Sequence, residues 1–165
     1  PLDLLLCEAA RAQGCHLRGL ETAAEQAAVF DDLDHELQLS LVDAAIVEST
    51  TGHRQYQRLI AAYLDQNLPA LASEISETGL SEPDCHVFRE ALLTNRNARF
   101  CERILAALPE HQKIFVAVGA AHLLGPDGLL DLFRQQDFEI IPVPFQFAVP
   151  GQLRQLTLPL VPQNQ

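Results

Sequence analysis

Lysine is almost missing from this chain. Lys113 is the single one, and eleven Lys and Arg face twenty-two Asp and Glu for a formal net charge of −11. Binding to phosphate backbones draws on clustered cations, so nucleic acid and anionic membrane surfaces are poor partners. No apolar run approaches bilayer length; the one around Phe115–Leu124 is far too short. No basic stretch leads into an apolar one at the start, so no signal peptide is expected in these residues. The cysteines, Cys7, Cys15, Cys85 and Cys101, form no C-x-x-C pair, which excludes a zinc ribbon on spacing. They are expected to be mostly buried free thiols behaving as small apolar residues, although spacing alone does not rule out a disulfide. There is no internal repeat and no low-complexity tract.

What is present is a globular composition. Hydrophobic residues make up 48% of the 165 positions and charged residues 20%, enough apolar material for one domain with a real core. Leu2, Leu5, Leu6 and Ala9 share a helical face that Gly14 stops. His16–Glu21 reads as a short strand. Phe30, Leu33, Leu37, Leu41 and Ala44 mark a long helical region, Tyr56–Leu64 another, and a shorter helix follows Asn67. Thr78–Asp84 reads as a loop. A long helix is expected from Asp84 to Leu108, ended by Pro109. "KIFVAVGA" reads as a strand, Gly125-Pro126-Asp127 as the start of a helix through Gln136, and "FEIIPV" as a last strand. Lys113–Val143 is then a β-α-β unit with parallel strands. The residues from Pro144 onward, with Pro150, Pro159 and Pro162, read as an extended arm in which "QLTLPLV" is a possible edge strand.

The expected fold class is therefore α/β, helix-rich, around a small, mostly parallel sheet. A strand as apolar as "IFVAV" calls for neighbours on both sides. Three strands make a thin sheet, so part of it is expected from outside this chain.

In open parallel sheets, ligands bind at the carboxyl ends of strands. "HLRGLE" would deliver Glu21 there and "IFVAVGAA" would deliver His122, with Gly119 letting a ligand approach the backbone. The alternative for His122 is a cap or a bond to a carbonyl. On the long helix, Phe88, Leu92, Phe100, Ile104 and Leu108 form a drifting apolar ridge whose missing step is Arg96. Asn97 lies in the adjacent row. A buried Arg calls for a carboxylate or an anion, and Glu21 is a natural partner; the alternative is an Arg that snorkels off the helix flank. Weaker candidates are His53 in "TTGH", and the pairs Cys15-His16 and Cys85-His86 as soft-metal ligands. "GPDG" is like a phosphate loop only superficially, since it lacks the lysine and the glycine spacing.

These segments resemble the TraB/GumN family, which includes the Tiki-type metal-dependent proteases. The matching stretches are "GLETAAEQ" (Gly19–Gln26), "AAYLDQNLPAL" (Ala61–Leu71), "LLTNRNARF" (Leu92–Phe100) and "VAVGAAHLLGPDGLLDLFRQQDFEIIPV" (Val116–Val143). The resemblance runs over residues 2–143, as the C-terminal portion of such a domain, and leaves 144–165 as a proline-rich tail. It implies an α/β fold related to ChaN- and erythromycin-esterase-like proteins. Tiki-type members use two G-x-x-H motifs and an acidic residue to bind a divalent metal and cleave peptide bonds. On that resemblance Gly119–His122 is the second G-x-x-H motif, Glu21 the acidic residue, and Arg96 and Asn97 the polar pair. The first G-x-x-H motif is not in these residues, and TTGH does not replace it in order or context.

The expectation is a metal-dependent, peptidase-like hydrolase to which this chain supplies half a site. His122 would ligate Mn, Co or Zn. Glu21 would ligate it too or act as general base, and Arg96 would neutralise Glu21 or steady a developing oxyanion. A catalytic zinc-like site takes three protein ligands plus a water, so the remainder would come from an N-terminal segment, a second chain or a symmetric partner in a homo-oligomer. The substrate would be a peptide or small molecule. The alternatives are a protein that sequesters a peptide or pheromone without cleaving it, haem or iron binding as in ChaN-like relatives, and a structural fragment that folds only with its other half. The resemblance also leans toward a bacterial protein of the cell envelope or periplasm.

Overall fold

A computed structural model of the chain describes residues 2–51, 53–111 and 113–143. The tail from Pro144, with its expected edge strand, lies outside the described residues. Among the described residues eight α-helices follow in order: α1 (Leu2–Ala12), α2 (Ala23–Asp31), α3 (His35–Thr51), α4 (His53–Leu64), α5 (Leu68–Ser76), α6 (Glu82–Arg89), α7 (Asn95–Ala107) and α8 (Leu129–Arg134). Short sequence signals set their ends. Gly14 at φ +70° closes α1: its N–H donates to Arg11 and the Cys15 N–H to Ala10, the paired bonds of a left-handed C-cap. Thr22 and Glu25 form a reciprocal capping box at α2. Asn67 caps α5 and Ser81 caps α6, each with a proline in the first helical turn.

The long helix expected from Asp84 to Leu108 is present in outline but interrupted. Between α6 and α7 the chain makes a wide π-helical turn, Glu90–Thr94, in which the Asn95 N–H reaches back to the Glu90 carbonyl. A four-residue step advances an ideal helix by about 400°, so a ridge built on such steps drifts by about 40° each time. The wide turn takes back part of that drift immediately before Arg96. Leu108–Glu110 then tightens into a 3₁₀ turn at Pro109.

The small, mostly parallel sheet is a correction. Among the described residues there is no strand, and so neither an α/β fold nor a β-α-β unit. The three stretches read as strands, His16–Glu21, Lys113–Ala120 and Phe138–Val143, form no ladder with one another. Phe115 and Val143 are each 80% exposed. A strand exists only through the partner that takes its backbone bonds. Apolar, β-branched composition reports what a segment can bury and is silent on whether a neighbour is there to bury it.

The helices bury one another instead. Phe100, Cys101 and Leu129 form the centre of a core joined by Leu20, Leu105, Val118, Leu123, Leu132 and Phe133. This core fastens α8 to α7, and with them the segments that carry the polar residues described next. All four cysteines are free, and of them Cys101 is buried. None of the helices among the described residues is long and apolar enough to cross a membrane.

Candidate functional site

α7 is the platform. On it Arg96, 7% exposed, and Asn97 are buried beside Phe100 and Ile104. Two other segments converge on this face: the Leu20–Glu21 stretch before α2, and a 3₁₀ turn at Ala120–Leu123 that holds His122. The expected convergence of Glu21 and His122 thus occurs without a sheet edge, because α7 gathers both.

Arg96 grips Glu21 with a fork. Nε donates to Oε2 at 3.0 Å and Nη2 to Oε1 at 2.5 Å, while Nη1 donates to the Leu92 carbonyl at 2.8 Å. Both carboxylate oxygens are therefore engaged, and the guanidinium also lies 5.5 Å from the centre of the Phe100 ring. Behind this pair sits a second one. Arg103 donates to the Leu20 carbonyl at 2.5 Å and pairs with Glu25, whose carboxylate also accepts the Thr22 N–H. Arg103 and Thr22 hold the Glu25 carboxyl down to about 2 from an ordinary 4.5. The capping box and Arg103 together fix the chain on both sides of Glu21.

His122 also contacts the Phe100 ring, tilted against it with ring centres 5.2 Å apart. Its Nδ1 is 2.6 Å from Asn97 Oδ1. The amide orientation of Asn97 is set elsewhere: Nδ2 donates at 2.8 Å to the carbonyl of Asp127, which can only accept. Oδ1 must then face His122, so Nδ1 carries the proton and Nε2 is the bare nitrogen. Burial lowers the His122 pKa below its ordinary value of 6.5; the Arg96 charge lowers it further and Glu21 opposes both. The ring is neutral near pH 7. Among the described residues no buried side-chain nitrogen or oxygen lacks a partner. Nε2 makes no hydrogen bond, so it reaches the surface of the cluster.

Gly119 caps the His122 turn in extended geometry, φ −60° and ψ 143°. A Cβ there would meet only His122 Cδ2, at an ordinary 3.9 Å. The tight glycine is Gly128, where a Cβ would stand 2.5 Å from the Leu124 carbonyl oxygen. Gly128 lets the start of α8 press against the turn that presents His122. The sequence held a signal for it in "GPDG", whose first glycine takes a positive φ and whose second makes this close approach. The roles of Glu25 and Thr22 were readable as a T-x-x-E box. That of Arg103 had no sequence signal, since its partner lies 78 positions away.

The weaker candidates stay apart from this cluster. His53 opens α4, and its side chain lies outside the described residues. His16 stacks on His111, both exposed, with ring centres 6.3 Å apart. Among the described residues no three His, Cys, Asp or Glu side chains are grouped so as to hold a metal ion. The cluster offers one open donor, His122 Nε2, and Glu21 is committed to Arg96. On their own these residues do not complete a zinc-like catalytic site, which takes three protein ligands.

Comparison with known proteins gives the cluster a context. Residues 1–142 match the sequence model of the TraB/PrgY/gumN family. Metalloprotease TIKI2 of Xenopus tropicalis is 38% identical over 55 residues, covering 32% of this chain and 10% of that protein. Metalloprotease TIKI1 of Danio rerio is 38% identical over 55 residues, covering 32% of this chain and 11% of that protein. The chain spans about a tenth of the length of these curated relatives. No solved structure matches.

Proposed function

The chain belongs to the TraB/PrgY/gumN family, and on that premise we propose that the α7 cluster is one side of a metal-dependent, peptidase-like hydrolytic centre. The observation that carries this reading is the His122 ring. It is neutral, its tautomer is locked through Asn97 and Asp127, and its Nε2 is open. Histidine ligands of metals are held in this way, with the remote ring nitrogen donating to a fixed acceptor. The names of the relatives, metalloproteases, supply the class of chemistry. Arg96 and Asn97 then act as positioning residues: Asn97 aims the imidazole, and Arg96 fixes Glu21 and keeps a positive charge beside the ring. The remaining ligands come from residues beyond those described, in a longer chain or a second one.

The test is a peptidase assay of the complete protein with Mn²⁺, Co²⁺ or Zn²⁺, run beside His122→Ala. Loss of turnover in the variant is expected, and equal activity in both sinks the assignment. A second reading, peptide sequestration without cleavage, draws on the lack of a three-donor group among the described residues. Binding of an intact peptide with no turnover under any of the three metals favours it.

A further inference from the structure

α5, α6, the wide turn and the Ala120–Gly125 stretch enclose a cavity of about 300 Å³. Ile75, Phe88, Leu92, Leu93, Ala121 and Leu124 make its walls mostly apolar. The side chains of Glu21, Arg96, Asn97 and His122 do not line it, but it stands on the same elements. Ala121 precedes His122 in the 3₁₀ turn, and Leu92 supplies the carbonyl that holds Arg96. An occupant is therefore held against the turn that presents the imidazole.

One cation lines the cavity. Arg89 is exposed, and its guanidinium lies along the backbone of Gly125, where an added Cβ would come within 3.1 Å of Nη2. Gly125 has φ +81°, so the close approach rests on a residue that side-chain-bearing replacements would strain. Among the described residues nothing pairs with Arg89. A planar guanidinium with free donors is matched by a carboxylate. The volume lies at the small end of the range for ligand pockets, about 300–1,000 Å³, which suits one side chain better than an acyl chain.

We infer that this cavity is a subsite for the C-terminal residue of a peptide, with a leucine- or phenylalanine-sized side chain against the apolar walls and the free carboxylate on Arg89. That the occupant is the end of a peptide rests on the hydrolase reading above; the recognition of an apolar group bearing a carboxylate does not. The probes are N-acetyl-leucine, N-acetyl-leucinamide and octanoate, titrated calorimetrically into the full chain without metal. The acid is expected to bind at least about tenfold tighter than the amide, the worth of one charge-assisted bond. Arg89→Gln erases that difference with no change in the unfolding midpoint, because the side chain is exposed. Ser73→Trp, at an exposed position lining the cavity, removes binding of both. Binding of neither compound, or equal binding of acid and amide by the unaltered chain, overturns the inference. Octanoate binding tighter than N-acetyl-leucine overturns the peptide in favour of a lipid. The titrations use no metal and read no turnover, so a failed peptidase assay and a failed subsite give separate results.

Discussion

Helix α7 and the run Lys113–Val118 are near neighbours in sequence and opposites in what they bury. α7, "NRNARFCERILAA", is rich in charge, yet Arg96, Asn97, Phe100, Cys101 and Ile104 on it are buried. "KIFVAV" is nearly all apolar, yet Phe115 is 80% exposed and Ile114 and Val116 more than a third. A fold driven by burial alone would have reversed them. α7 can bury its polar groups because each one has a partner: Arg96 has Glu21, Asn97 has Asp127 and His122. In the apolar run Val118 packs against the α7 core, while Ile114, Phe115 and Val116 lack a covering neighbour among the described residues. Buried, satisfied polar groups fix a geometry, and that is the property a site needs. Exposed apolar residues leave a surface open to a partner.

The largest expected effect comes from taking away one half of the buried ion pair. Arg96→Met leaves the largely buried Glu21 carboxylate unpaired, at a cost of about 3 kcal/mol in chemical denaturation. Adding Glu21→Gln returns much of it. A loss below about 1 kcal/mol in the single variant would place the pair in solvent and end the contrast with the apolar run. Next in size is Gly128→Ala. Its Cβ meets backbone, which yields less readily than a side chain, and overpacking of this kind costs about 1–3 kcal/mol. The expected signature is local: the His122 and Leu124 amide resonances shift while those of α4 and α5 stay put.

The sequence pattern made much of this site legible and misplaced the frame around it. Arg96 stood out as a charge in an apolar ridge, and a buried arginine demands a carboxylate; Glu21 was available and is the partner found. Gly14, Asn67 and Pro109 marked helix ends because caps are local chemistry, whereas the Ser81 cap lay inside the stretch read as a loop. The sheet was misread because "IFVAV" and "FEIIPV" have strand composition, and composition carries no information on whether a second strand is in reach. The wide turn at Glu90–Thr94 went unread, since a ridge stepping by four is also what a plain α-helix with a drifting apolar row would show.

Acid sharpens the picture of the second ion pair. Glu25 titrates at about 2 in the folded chain against an ordinary 4.5. Its folded value is the lower one, so the stabilisation is fully present above pH 4.5 and is lost as pH falls from there toward 2. The unfolding midpoint should decline across that window and decline less in Glu25→Gln. The pair with Arg103 is about one third exposed and partly screened, so the effect is smaller than that of Arg96→Met and shrinks with added salt. An equal decline in the variant would assign the acid sensitivity to other carboxylates and detach the Arg103 brace from the positioning of Glu21.

The smallest effect tests the other side of the contrast. Phe115→Ser removes a large apolar side chain, and the same change at a core position such as Phe100, 4% exposed, would cost about 3–5 kcal/mol. At Phe115 the ring already meets water, so the unfolding free energy of the chain should move by no more than about 0.5 kcal/mol. What should move is self-association, followed by sedimentation across a dilution series, because Ile114, Phe115 and Val116 present an apolar edge that another surface can cover. A loss of more than about 1 kcal/mol at concentrations where the chain is monomeric would mean that the ring is buried after all. Phe115 would then join Val118 in the core on α7, and the contrast between the two segments would end.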